Sequence, residues 1–134
     1  MPIALIHRQS RLAVLRAAID LNAPGALELY ALPMVDTPSA APLAVVRLPA
    51  PCGVVDTSGT FARLTISPVT GNATSSGTVG WGRYVDGNGA AVYSALAGLP
   101  GTGKPIEVTD GLSTPSANVF AGGEVQILSA VFLE

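Results

Sequence analysis

The chain has one cysteine, Cys52, and one histidine, His7, in 134 residues. A single cysteine excludes an intrachain disulfide and a cysteine-based metal site. Thiol catalysis would have to rest on Cys52 and His7 alone, and nothing around either residue recommends it. Charged residues make up only 12% of the chain. The seven Lys/Arg are spread along it, and Lys104 is the only lysine. No basic footprint for nucleic acid or an anionic membrane results. No apolar run reaches the roughly 18 residues of a membrane span, so none is expected. The N-terminus lacks a charged segment followed by an apolar block and a small-residue cleavage site. No secretory signal is therefore expected, and residence in a cytoplasm fits best.

What is present is apolar and heavily punctuated. Hydrophobic residues make up 49%, with 15 Gly and 11 Pro, and the net charge is −2. β-Branched residues are plentiful, so this is the composition of many short strands joined by tight turns and not of a disordered chain. The length favours a single domain over 1–134 with a real core. The low charge also suggests that another chain covers part of the surface. Ala and Gly weaken that inference by inflating the apolar count without adding much apolar surface.

The clearest local signal is a β-hairpin from Gly77 to Ala97. Val79, Trp81, Arg83 and Val85 alternate with Thr78, Gly80, Gly82 and Tyr84, which predicts a strand with one buried face. Asp86-Gly87-Asn88-Gly89 is turn chemistry, and a second strand follows over Ala90–Ala97. The only Trp and two of the three Tyr lie here, so the hairpin should carry the largest core side chains. One helix is predicted at about 8–22, with Leu12, Leu15, Ala18 and Ile19 on one stripe. Arg8, Arg11 and Arg16 largely avoid that stripe. Asn22-Ala23-Pro24-Gly25 ends the helix. It either packs on a sheet or docks on a partner chain.

Further strands are predicted at Ala26–Leu32, Leu43–Leu48, Thr60–Ile66 and Glu124–Leu133, with a short edge strand at Pro105–Thr109. Pro33–Pro42, with prolines at 33, 38 and 42, reads as a loop. Thr70–Gly77 also reads as a loop, and Asp110–Ser116 as a turn. The expected fold is mainly β: an antiparallel sandwich or jelly-roll-like barrel of about seven or eight short strands over about 26–133, with one N-terminal helix.

Three motifs invite a chemical reading. Gly98-Leu-Pro-Gly-Thr-Gly103-Lys104 has the spacing of a phosphate-binding loop. Pro105 stands where a hydroxyl should, and the sequence beyond is strand-like and supplies no helix N-terminus. Asp86-Gly-Asn88 echoes a calcium loop, but Ala90 holds the fifth position and no Glu closes it. Nine Asp/Glu are scattered, mostly at turns, and no G-x-S-x-G elbow exists. We therefore expect no catalytic, cofactor-binding or metal-ligating residues, no cofactor, and a protein that is not an enzyme.

The layout resembles small structural proteins encoded by tailed bacteriophages and prophages. The residues that carry the resemblance are the short helix, Gly25-Ala-Leu27-Glu-Leu-Tyr30, the Pro-rich loop, Gly80-Trp81-Gly-Arg83-Tyr84-Val-Asp86-Gly-Asn-Gly89, and Ala121-Gly-Gly123 before Glu124–Leu133. Many proteins of that kind carry a Gly-Thr-Ser-Gly-Ala-Asp-Leu run after the hairpin, where this chain has Pro100–Ile106. The resemblance is to capsid decoration, or cement, proteins. It implies a β module on the outside of the virion head, assembled in the bacterial host cytoplasm. It would clamp neighbouring major capsid protein subunits and form a homo-oligomer, with a dimer preferred. Neither nucleic acid nor membrane is an expected partner. The N-terminal helix, the Pro33–Pro42 loop and the Gly98–Pro105 loop are the expected contact regions. Another virion part, such as a tail or head–tail joining protein, is the alternative within that resemblance. A β-sandwich module binding carbohydrate or a receptor is the alternative outside it, and it would need Trp81, Tyr84 and Tyr93 exposed in a groove.

Overall fold

The computed structural model describes residues 4–58, 61–66, 68–110 and 116–133. Thr60, expected to open a strand, and residues 111–115 of the expected Asp110–Ser116 turn lie outside the described residues. The fold is mainly β, with one helix, α1 (Leu5–Ile19), ahead of the strands. The strands are β1 (Ala26–Tyr30), β2 (Ala44–Arg47), β3 (Gly53–Ser58), β4 (Phe61–Ile66), β5 (Val69–Asn72) and β6 (Gly77–Thr78). They continue as β7 (Trp81–Val85), β8 (Ala91–Gly98), β9 (Ile106–Thr109), β10 (Asn118–Val119) and β11 (Glu124–Leu133).

The main sheet runs β2-β1-β7-β8-β9-β11-β4-β3, and β5 also pairs with β11. A bridge between Ala44 and Ala73 brings β2 back beside β5, so the sheet nearly closes into a barrel. Such closure leaves few strand edges for stray pairing. Among the described residues every strand pairing is antiparallel except β8 with β9, which meet in parallel through Ala97 and Ile106. The interior is filled by Leu27, Leu29, Val46, Leu64, Ile66, Tyr84, Ile106, Val108 and Ile127. At Gly82 a Cβ would sit 2.9 Å from Leu27 Cδ1 and 3.0 Å from Ile106 Cδ1. That position is therefore left to glycine so that the aliphatic side chains can cross the strand.

The helix packs on β3, β4 and β8 with Leu12 and Ile19 buried. It starts and stops earlier than its sequence signal. Asp20 caps it, and Asn22 takes the left-handed conformation at φ 54°. An Asn just beyond a helix tolerates that conformation better than most residues.

Four expectations are corrected by the structure. β7 is buried on both faces, not one, because its inner face looks into the barrel while Tyr30 and the Pro-rich loop cover Trp81 outside. β9 is not an edge strand: it lies between β8 and β11. Pro105 precedes the first paired residue, so its missing N–H removes no ladder bond. Part of the Thr70–Gly77 loop is strand, since Thr70, Gly71 and Asn72 pair with Gln126, Val125 and Glu124. β3 is a strand that the sequence reading did not mark, and it pairs along its whole length with β4.

Candidate interaction surfaces

The register of β1 against β7 sets Tyr30 opposite Trp81 and Glu28 opposite Arg83. On this outer face the two aromatic rings stack, with centroids 4.7 Å apart and planes 19° from parallel. Trp81 Nε1 donates to Ala31 O at 2.9 Å. The buried indole therefore has a partner for its one polar atom, as a buried Trp requires. Arg83 donates from Nη2 and Nε to Glu28 Oε1 at 2.9 and 3.1 Å, and Tyr30 OH donates to the same oxygen at 2.9 Å. Burial first, and the Glu28 carboxylate second, push the Tyr30 phenol above its usual value.

The Pro-rich loop leaves β1 over this pair. Leu32 lies across Gly80, where a Cβ would be 2.4 Å from its Cγ. Leu43 N donates to Leu29 O at 2.7 Å and brings the chain back to the sheet. Between loop and stack is a groove of about 330 Å³ lined by Tyr30, Trp81, Leu32, Val35, Pro38 and Leu43 among others. Leu32, Met34 and Val35 on the loop are exposed, as is Asp36 next along. Proline fixes φ, so a loop with Pro33, Pro38 and Pro42 has little conformational freedom left to lose on binding.

Other faces also present large apolar side chains, Val54 and Phe61 on β3 and β4 among them. On α1 the outward stripe is Ile6, His7, Ser10, Arg11 and Val14, with Ile6 68% and Val14 69% exposed. At the turn between β10 and β11, Phe120 is 68% exposed. Gly122 N donating to Ala73 O at 2.8 Å and Ala121 N donating to Ser76 Oγ at 3.0 Å hold that turn. The Gly98–Pro105 connection, the third expected contact region, is exposed over 100–105 and offers Thr102 and Lys104 in place of large apolar side chains.

The chemical motifs resolve into turn and strand structure. Gly101 N, which a phosphate would need, donates to Glu107 Oε2 at 3.1 Å, and strand β9 follows where a helix would be required. Asp86 Oδ1 accepts from Asn88 N at 2.9 Å and Ala90 N at 3.0 Å, which accounts for the calcium-like spacing as a turn. Among the described residues no three His, Cys, Asp or Glu are grouped so as to hold a metal ion. Cys52 is buried, and its N–H donates to Asp20 Oδ1 at 3.0 Å. Burial, and then the Asp20 carboxylate, push its thiol up to about 12. His7 belongs to the first turns of α1 and Asp20 to its C-cap, about 20 Å apart along the axis at 1.5 Å per residue. The structure thus does not bring the thiol and imidazole together. No described helix is long and apolar enough to cross a membrane.

The aromatic platform that the carbohydrate-binding alternative would need is not formed. Trp81 and Tyr84 are 1% and 0% exposed, and of those three residues Tyr93 alone, at 45%, faces solvent. The groove and the Glu28–Arg83 pair were missed by sequence reasoning. The one available signal was that Gly25–Tyr30 and Gly80–Gly89 both carry an aromatic and a charge on alternate residues. A scan of family models, a search of curated proteins and a search of solved structures each return no match to this chain.

Proposed function

We propose that this chain is a head decoration, or cement, protein of a tailed phage or prophage. It acts without chemistry, by burying surface across boundaries between major capsid protein subunits on the outside of the head. The observation that carries the reading is how many large apolar side chains a nearly closed barrel leaves exposed, among them Ile6 and Val14 on the helix, Leu32, Met34 and Val35 on the Pro-rich loop, Phe120 at the β10–β11 turn, and Val54 and Phe61 on β3 and β4. A module that clamps neighbours needs more than one contact face, and exposed apolar side chains on several elements can supply them. Support also comes from the stretches that resemble decoration proteins, because Gly25–Tyr30 and Gly80–Gly89 pair directly as β1 and β7. Binding to the assembled shell and not to free subunits stabilises the shell by mass action, and repetition over the lattice multiplies weak contacts. The test is co-sedimentation with purified expanded heads of the cognate phage. Saturable binding at a fixed ratio to the major capsid protein is expected. A folded Phe120→Ser variant should bind about tenfold or more weakly. Folded wild-type protein left wholly in the supernatant would reject the reading.

A further inference from the structure

The charge of the chain is unevenly divided. α1 carries Arg8, Arg11 and Arg16 and no acidic residue, a formal +3, so the remainder of the chain carries −5 of the total −2. Its outward stripe combines apolar Ile6 and Val14 with Arg11 and His7. Ile6, Ser10 and Val14 fall at i, i+4 and i+8 and so stand one above another over about 12 Å. The Pro-rich loop is the counterpart: a preformed apolar groove with exposed Leu32, Met34 and Val35, and Asp36 beside them. An amphipathic helix laid into an apolar groove is a recurring mode of recognition.

We propose that the occupant of this groove is the outward face of α1 from a second copy of the chain. The two surfaces belong to segments joined to opposite ends of β1: α1 leads into its first residue, and the loop leaves its last. Electrostatics choose between the ways two copies can meet. A twofold contact of helix on helix centred on Ser10 would bring the two Arg11 guanidiniums together. A twofold contact of loop on loop would set Asp36 against Asp36. Helix on loop sets Arg11 near Asp36 and keeps the apolar residues together, and like charges across an interface are what partners avoid. The contact therefore joins two different patches, either reciprocally in a twofold pair with the helix of each copy on the loop of the other, or head to tail in a ring or an open chain. It leaves the Phe120 turn free for a different partner. Because it concerns the isolated protein, it stands or falls separately from capsid binding.

Two experiments test it. In the first, Val14→Cys and Val35→Cys variants are oxidised singly and as a mixture; buried Cys52 stays out of the reaction. A disulfide-linked pair forming in the mixture, with only background in either variant alone, is expected. Efficient linkage of Val14→Cys to itself, or no linkage in a mixture of folded variants, overturns the proposal. In the second, sedimentation velocity compares wild type with Arg11→Glu, Asp36→Lys and the double variant. Each single reversal should weaken self-association by about tenfold or more, and the double variant should restore it. Added salt should weaken the wild type. A wild type that stays monomeric at its highest soluble concentration, or a double variant no better than the singles, overturns it.

Discussion

Replacing Trp81 by alanine probes how the outer face is held together. The indole is 1% exposed, stacked 4.7 Å from Tyr30 and bonded to Ala31 O. A buried Trp removes about 200 Å² from water, worth about 5 kcal/mol at roughly 25 cal/mol per Å². Alanine keeps a small part of this, and some collapse of the groove recovers a little more. The expected loss is about 4 kcal/mol, within the usual span for Trp→Ala. For 134 residues the unfolding entropy near the midpoint is about 0.28 kcal/mol/K, so Tm should fall by about 14 °C. Trp81→Phe keeps a stacked ring but loses the bond to Ala31 O and some volume; it should lose about 1–2 kcal/mol, or about 4–7 °C. Thermal and urea unfolding followed by circular dichroism measure both, since Trp81 is the only tryptophan and fluorescence disappears with it. A Trp81→Ala loss below about 1 kcal/mol would refute the packing argument.

Three further outcomes follow from the same geometry. Gly87→Ala would place a Cβ 1.5 Å from Asn22 O, whereas Gly89, at φ +83°, has nothing within 4 Å of its Cβ position. Urea unfolding should show a loss of about 3 kcal/mol or more at 87 and only about 1 kcal/mol of backbone strain at 89; equal losses would contradict the close approach of the segment after α1 to the hairpin turn. The Cys52 thiol, buried and raised to about 12 beside Asp20, should react with a disulfide reagent at pH 8 only when the chain unfolds. Rapid labelling of the native protein would place it at the surface instead. Asp56 accepts two bonds from Arg63, at 2.9 Å each, and its carboxyl is held below the usual value chiefly by that pairing. The stability it contributes is present above the unfolded carboxylate range and is lost as pH falls through its lowered native value. Asp56→Asn should flatten that part of the acid limb, and an unchanged limb would contradict the pairing.

The parts of the fold that were legible in the sequence are those fixed by neighbours along the chain. The β7–β8 turn declares itself because Asp86 bonds the two amides that follow it locally. The helix declares itself through the Leu12–Leu15–Ile19 spacing, although Asp20 caps it before the Asn22 stop signal is reached. Illegible features depend on residues far apart. β5 looks like loop because Gly71 and Asn72 are turn formers, yet its pairing partner is the start of β11, and Gly71 lets β2 approach, with Val46 Cγ2 3.2 Å from its Cβ position. β3 follows Pro51 with no clean alternation, and only its pairing with β4 makes it a strand. The groove needs Trp81 and Ala31, 50 residues apart, to meet through the β1–β7 register. Exposed apolar surface was anticipated from the low charge alone, but its division among helix, loop and turn is a property of the folded chain.

The most direct test of the capsid reading is the melting temperature of purified expanded heads, measured with and without saturating protein. The account predicts a higher shell melting temperature that stops rising once the added protein reaches a fixed ratio to the major capsid protein. Heads that melt at the same temperature at every ratio, with the added protein folded throughout, would contradict it.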